Sequence, residues 1–416
     1  MTSIKKFLYE HRIAFILFAF TLIYEIVIGN RMSFWRVSDH TFSLYTVDYG
    51  MGFCTRILPG AVFNFLFREL SYKNVTAFCT AIVLLMFVGV AVLLEKFIRS
   101  VDSEYRLLSL FFALLILTGP ASFSVFVIAL GYFDLYWVGI SVAFIVLLSH
   151  KKLYFLFVPL FLISVLVHYG AIVCYIPFMA IMILLKTAYA ENKKEKTYLL
   201  VVFTVSVVLS LGLTLYFFLF GRANLTYSLH DFNRIIVDRG AKVTYVLDYS
   251  LYGDVEYAEE SNSVLWTSFP ENASFVQKIA LMLQQRFLTT DYFAERSGTV
   301  LEKVSGAVVS VPAVCIPAAV LINILIKKEN NFLKRFSCLC SLLLFVGTLI
   351  VGLLGSTDTF RWRTNAFLPL FASFLYLLYK EGVPLWEKLR SVFSHFSVTA
   401  LSMYLVLYMV CVASVM

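Results

Sequence analysis

The sequence predicts an all-α polytopic membrane protein, with about 11 transmembrane helices and one long outward-facing loop region. Of its residues, 60% are hydrophobic and 14% are charged, and the mean hydropathy is +0.84. Soluble proteins carry about 25% charged residues, so these values exclude an ordinary soluble fold. The apolar residues form continuous blocks of about 20, the length of a membrane-spanning helix. A membrane β-barrel would instead alternate apolar and polar residues.

The net charge of +8 is attributed to basic cytoplasmic loops and not to a nucleic-acid partner. Cytoplasmic loops of membrane proteins collect Lys and Arg. Here 19 of the 34 Lys and Arg residues fall in short segments that alternate with less basic ones. This pattern predicts an inward N-terminus, an outward C-terminus and an outward polar region. Apart from one Cys-Leu-Cys at 338–340, the seven cysteines lack metal-ligand spacing, and they are predicted to be core residues.

The first predicted block is an N-terminal membrane bundle, residues 1–220, with about seven spans. An outward loop, 31–73, separates the first two spans, and its residues 57–67 are too short to cross and predict a surface helix. The apolar run 153–185 is too long for one helix and is divided at His168. The predicted spans are 13–30, 74–94, 107–128, 132–150, the two halves of 153–185, and 199–220.

Two further blocks complete the chain. Residues 221–303 are polar and acidic, predict an extracytoplasmic loop region, and contain an amphipathic helical pattern at 273–289. Residues 304–416 predict a C-terminal membrane bundle of about four spans, with an amphipathic piece at 385–396 before the last one.

Several polar residues fall at the outward ends of these predicted spans, so one outward cavity is expected to collect them. Ionisable side chains at membrane depth are costly and are usually paired or functional. The residues are Asp39, Asp48, Arg56, Asp134, His168, Arg361, Trp362 and Arg363.

Among the acidic candidates and the histidine, Asp48 is the first choice for a catalytic base. It is bracketed by apolar residues and glycines, which indicates partial burial, and a partly buried carboxylate suits general-base work. Asp39 and His168 are the other catalytic candidates. Each also has a structural alternative: the two loop carboxylates can pair with arginines, and His168 can be a satisfied core histidine. Asp134, a substrate-binding candidate, can alternatively cap the helix that it begins.

The Arg361-Trp362-Arg363 sequence predicts a phosphate-binding element, together with Arg56. Guanidinium groups bind phosphate oxygens in a bidentate manner, and Trp offers a platform for a sugar. The alternative is an interfacial belt in which Trp and Arg anchor the helix at the membrane surface.

Carboxylates, a histidine and arginines at a membrane surface suit the transfer of a sugar from or onto an isoprenoid phosphate. The sequence contains no GxxxxGK[ST], HExxH or GxSxG motif, which argues against nucleotide hydrolysis and zinc proteolysis. No motif in the sequence indicates a particular cofactor, and a divalent cation is an open alternative.

Asp39 and Asp48, in the first outward loop, resemble the acidic signature of the membrane-embedded GT-C glycosyltransferases. The plan of spans with one long outward loop, the outward arginines and the sequence His168-Tyr-Gly-Ala also resemble O-antigen and exopolysaccharide (capsule) polymerases. The resemblance implies a cell-envelope polysaccharide enzyme of the bacterial cytoplasmic membrane. Its implied partners are membrane lipids and a sugar linked to polyprenyl phosphate or diphosphate.

Two other classes of function stay open from the sequence. A flippase or transporter for lipid-linked oligosaccharide would bind the same phosphate, although no inverted repeat or pair of broken spans is evident. A non-catalytic envelope assembly protein needs none of the site chemistry.

Overall fold

The computed structural model describes residues 9–32, 36–118, 130–220, 222–242, 300–327, 331–355 and 359–415. In a few helical stretches, among them 359–364, only the backbone is described. The structure is 83% helical and has no β-strand in these ranges, so the predicted all-α fold is confirmed there. The amphipathic helix predicted at 273–289 lies outside the described residues.

The described helices follow one another in the order in which the sequence predicts its apolar blocks. They are α1 (Arg12–Met32), α2 (Asp39–Ser43), α3 (Leu58–Leu66), α4 (Tyr72–Arg99), α5 (Arg106–Thr118), α6 (Phe133–Leu147), α7 (Phe157–Val167), α8 (Tyr175–Ala188), α9 (Lys193–Phe220), α10 (Leu229–Asp238), α11 (Val300–Ile326), α12 (Phe332–Gly355), α13 (Thr359–Glu381), α14 (Val383–Phe393) and α15 (Val398–Val415).

Several of these helices have the length and composition of a membrane span. Within the described ranges, four segments pass this test: α4, Tyr169–Ala188 (which contains α8), α9 and Phe332–Ile350. A fifth is obtained if α13 and α14, bent by 115° about Gly382, are counted as one broken span. Described helices overlap every predicted span, but α7 has only 11 residues, so the count of 11 spans stays a prediction.

The centre of the bundle is α8, because 11 of its 14 side chains are buried. It packs mainly against α9 and α12, and more lightly against α13, α6 and α7. By contrast, α9 exposes many apolar side chains, including Val201, Leu211 and Leu219. An apolar helix surface of this kind is expected to face lipid.

Residues 36–57, which we call the opening loop, are folded into the bundle and are not a solvated connection. Tyr45, Val47 and Ile57 have no exposed surface. The predicted short helix at 57–67 is confirmed as α3, whose first turn contains a proline, where a missing N–H is tolerated. Gly60 lets α3 approach the loop closely: a Cβ at this position would lie 2.3 Å from the Val47 carbonyl oxygen.

The predicted amphipathic piece at 385–396 corresponds to α14, which buries Leu385, Trp386 and Leu389. The bend before it falls at Gly382, whose φ of 62° lies in the left-handed region that favours glycine. The division into blocks 1–220, 221–303 and 304–416 stays a prediction.

Candidate functional site

Phe133, the first residue of α6, brings together two of the predicted site residues. The guanidinium carbon of Arg56 lies 5.4 Å from the centroid of its ring. The imidazole of His168 lies 4.9 Å from the same ring centroid. Arg56 is only 5% exposed and has a φ of 73°, an uncommon conformation for a residue other than glycine. The opening loop and the α7–α8 connection therefore meet at the start of α6.

Asp134 lies in the first turn of α6 and is 2% exposed. Its Oδ1 accepts a hydrogen bond from the Asn365 side-chain amide at 3.0 Å. Oδ1 of the Asn365 side-chain amide in turn accepts a hydrogen bond from the Tyr175 hydroxyl at 2.5 Å. Tyr132 is the N-cap residue of α6 and Asp134 follows in the first helical turn, so capping of the helix amides by Asp134 stays a prediction. A buried carboxylate needs hydrogen-bond donors and is favoured near a helix N-terminus. Because Asn365 bonds both Asp134 and Tyr175, its side chain links α6, α8 and α13.

His168 ends α7 and begins the short 3₁₀ turn at 169–172. Its Nδ1 accepts the backbone N–H of Gly170 at 2.8 Å. This hydrogen bond assigns the proton of the neutral ring to Nε2. Accepting a second proton at Nδ1 would break the bond to Gly170. The geometry therefore favours His168 as a hydrogen-bond donor through Nε2 over the predicted role as a base.

Asp48 begins a 3₁₀ turn, with its Oδ1 accepting the Gly50 N–H at 2.9 Å. Its Oδ2 forms an ion pair with Nη1 of Arg239 at 2.8 Å. The same Arg239 nitrogen donates to the Thr46 carbonyl at 2.6 Å. The Asp48 side chain is 32% exposed. The predicted partial burial of Asp48 is thus observed, but its ion pair with Arg239 was not indicated by the sequence.

Asp39 occupies a similar position at the start of α2. It accepts the Tyr72 hydroxyl at 2.8 Å, and Nζ of Lys242 lies 3.8 Å from its second oxygen. The guanidinium of Arg36 lies 5.0 Å from the centroid of the Tyr72 ring. Both predicted loop carboxylates therefore contact cations of one segment, 222–242, which we call the docked segment.

Backbone contacts fix the docked segment on the opening loop. Phe53 N–H donates to the Asn224 carbonyl at 3.3 Å, and Thr226 N–H donates to the Met51 carbonyl at 3.0 Å. Gly52 lies between them with a φ of 137°, and a Cβ there would lie 2.5 Å from the Asn224 oxygen. Only glycine fits this crossing.

Tyr45 connects the opening loop to the residues that precede α6. Its hydroxyl donates to the Gly131 carbonyl at 2.9 Å and contacts the Tyr136 hydroxyl. Complete burial raises the pKa of Tyr45 well above its ordinary value. The phenol is therefore held neutral, as a fixed contact between the loop and α6.

Arg361, Trp362 and Arg363 belong to the first turns of α13, but their side chains lie outside the described residues. The helix backbone puts Arg361 one turn before Asn365, about 6 Å along the axis. The structure thus brings Arg56 and His168 together at Phe133, the residue before Asp134, and pairs Asp39 and Asp48 with the docked segment. It also adds Arg239, Lys242, Asn365 and Tyr175, which sequence reasoning missed. Only the charge of Arg239 and Lys242 was visible beforehand, without any sign of their partners.

In the part of the chain that the structure describes, no three His, Cys, Asp or Glu residues are grouped as ligands for a metal ion. Comparison with protein-family models, with curated proteins and with solved structures finds no match to this chain. Its function is therefore inferred from the chemistry of these residues.

Proposed function

We propose that this protein is a membrane-embedded glycosyltransferase or polysaccharide polymerase. Its substrate is a sugar linked to polyprenyl phosphate or diphosphate, at the outer face of the bacterial cytoplasmic membrane. The observation that carries the proposal is that the buried Arg56 and the half-buried His168 both pack against Phe133, which precedes the buried Asp134 in the first turn of α6. Buried charged groups in an apolar bundle are expensive and are usually retained for function.

The chemistry of sugar transfer needs the two kinds of charge that this group contains. An acceptor hydroxyl gives up a proton as it attacks the anomeric carbon, and the departing phosphate gains negative charge. A carboxylate can take the proton, and a guanidinium stabilises the phosphate best where water is scarce. We assign the first role to Asp134 and the second to Arg56, with Arg361 and Arg363 as the predicted partners.

In this proposal Asn365 orients the Asp134 carboxylate and His168 orients the sugar. Asn365 donates to Asp134 and thereby fixes the direction of the carboxylate. The Nε2–H of His168 is suited to hold a sugar hydroxyl, because Nδ1 is engaged by Gly170. Asp48, proposed from the sequence as the base, has a second interpretation: its ion pair with Arg239 fastens the docked segment.

A transfer assay on the purified full-length protein tests these roles. The donor is a polyprenyl-diphosphate-linked oligosaccharide and the readout is labelled product. Asp134→Asn keeps the size of the side chain, and turnover should fall by about 10²–10⁴-fold, the usual contribution of a general base. Arg56→Lys keeps the charge but loses the planar fork, so it should raise KM as well as lower kcat.

Asp48→Asn is the matched comparison, because it removes the other candidate carboxylate. We expect a smaller loss of turnover than for Asp134→Asn. If Asp48→Asn abolishes transfer and Asp134→Asn does not, the role of base returns to Asp48. If neither variant changes transfer, or if the protein moves lipid-linked sugar across vesicles without transferring it, the enzyme proposal fails in favour of transport.

A further inference from the structure

A cavity of about 450 Å³ lies between α4, α6, α8 and α13. This volume falls within the range of about 300–1,000 Å³ found for ligand sites. Along α13 it extends from Asn365 to Lys380, which corresponds to about 22 Å of helix. One leaflet of a bilayer has about half of the 30 Å hydrocarbon thickness, so the cavity is long enough for one acyl chain. Most of its lining is apolar, including Val90, Phe97, Val138, Met182, Leu368 and Phe371.

Three lysines line one end of this cavity: Lys96, Lys186 and Lys380. They lie in the last turns of α4, α8 and α13, respectively. In the predicted orientation all three segments face the cytoplasm. The opposite end of the cavity is lined by Asn365 and Tyr175, beside the candidate catalytic group.

The positive charge at the lysine end is incompletely balanced by the protein. Lys186 lies 4.0 Å from Glu195, but that carboxylate is already bound by Lys151 at 2.9 Å. Lys186 and Lys380 line the same end of the cavity with like charges, which repel each other. Lys380 contacts the ring of Tyr379, and neither Lys380 nor Lys96 has a carboxylate partner among the described residues. An anion at this end would relieve the repulsion.

Tyr376 supplies a second, independent indication of a ligand. It lines the cavity and lies one helical turn before Lys380. Its ring packs edge-on against Tyr189, at 6.1 Å between centroids. Its hydroxyl is buried and has no hydrogen-bond partner within the described ranges. A buried hydroxyl without a partner costs free energy, and an acceptor oxygen beside the lysines would satisfy it.

We propose that the cavity binds an anionic glycerophospholipid of the inner leaflet. Its phosphate lies among Lys96, Lys186 and Lys380, Tyr376 donates to a phosphate or ester oxygen, and one acyl chain fills the cavity towards Asn365. Basic pockets between transmembrane helices on the cytoplasmic side bind anionic headgroups in this way. This site is independent of the proposed transfer reaction, whose lipid phosphate is expected at the opposite, outward end.

Lipid binding to the delipidated full-length protein tests the proposal. The probes are dioleoyl phosphatidylglycerol and dioleoyl phosphatidylcholine, which have the same chains, and native mass spectrometry counts the lipids bound. Wild-type protein should bind one phosphatidylglycerol in preference to phosphatidylcholine. Each lysine near a membrane surface contributes about a fivefold factor, so Lys186→Gln with Lys380→Gln should weaken phosphatidylglycerol binding about 25-fold.

Matched variants distinguish the loss of lysine charge from misfolding. They also distinguish binding of the acyl chain from binding of the headgroup. The same two positions changed to arginine should keep the preference, and Lys388→Gln, an exposed lysine of α14, should leave it unchanged. Ala372→Trp fills the cavity and should abolish binding of either lipid, whereas Leu343→Trp changes a side chain of α12 that is 61% exposed and should not.

Three results would overturn the inference. The first is equal affinity of wild-type protein for the two phospholipids. The second is unchanged phosphatidylglycerol binding in the double lysine-to-glutamine variant or in Ala372→Trp. The third is displacement of phosphatidylglycerol by undecaprenyl phosphate at a lower concentration, which would identify the occupant as a polyprenyl lipid. The first two results leave the proposed sugar transfer unaffected, whereas the third would bear on its polyprenyl-linked donor.

Discussion

The contact between Asp134 and Asn365 allows the sharpest test of the structure. Asn365→Leu keeps nearly the same volume but removes the amide that donates to Asp134 Oδ1 and the oxygen that accepts from Tyr175. Each buried polar group left without its partner costs about 1–3 kcal/mol, and a carboxylate costs more. We therefore expect the free energy of unfolding to fall by about 2–6 kcal/mol.

The measurement is reversible unfolding of the purified protein in mixed micelles with increasing dodecyl sulfate. Ser373→Ala is the control on the same helix, because it removes one hydrogen bond between α13 and α12, where Ser341 and Ser373 hydroxyls lie 2.7 Å apart. Such hydrogen bonds between membrane helices average about 0.6 kcal/mol. The Asn365 variant should be clearly less stable than this control.

A double-mutant cycle shows whether the cost arises from the carboxylate. In Asp134→Leu/Asn365→Leu, both partners are apolar, so the double variant should be more stable than the sum of the single effects predicts, by about 0.5–3 kcal/mol. Strictly additive effects, or an Asn365→Leu cost no larger than that of Ser373→Ala, would refute this account of the site.

Three further predictions concern the opening loop and the topology. Arg239→Gln should lower the free energy of unfolding by at most about 1 kcal/mol, because its ion pair with Asp48 is partly exposed. Hydrogen exchange in the opening loop should nevertheless rise. Unchanged exchange would contradict the role of this ion pair in holding the docked segment on the loop. Gly52→Ala should lower the free energy of unfolding by about 1–3 kcal/mol through backbone strain. Gly139→Ala is the control, because a Cβ there meets nothing within 4 Å, and it should not show this loss. Equal thermal stability of the two variants would contradict the close contact between Gly52 and the docked segment. In intact cells an impermeant thiol reagent should label Ser261→Cys and not Lys193→Cys, and the reverse pattern would invert the predicted orientation.

The helical class and the approximate positions of the long apolar helices were predictable from the sequence. Continuous apolar blocks determine where helices form, because each backbone polar group in an apolar surrounding must bond within its own helix. The division at His168 was also predictable, since a polar and glycine-containing stretch interrupts the run between α7 and α8. The sequence further grouped Arg56, Asp134 and His168 as residues at span ends.

The partners of those residues were decided by the tertiary structure alone. Asp134 and Asn365 are 231 positions apart, and Asp48 and Arg239 are 191 positions apart. Composition and periodicity show which face of a helix is apolar, but not which neighbour it meets or at what height. Pairing between side chains depends on that packing, and so the sequence showed the charges while the fold determined which of them are joined.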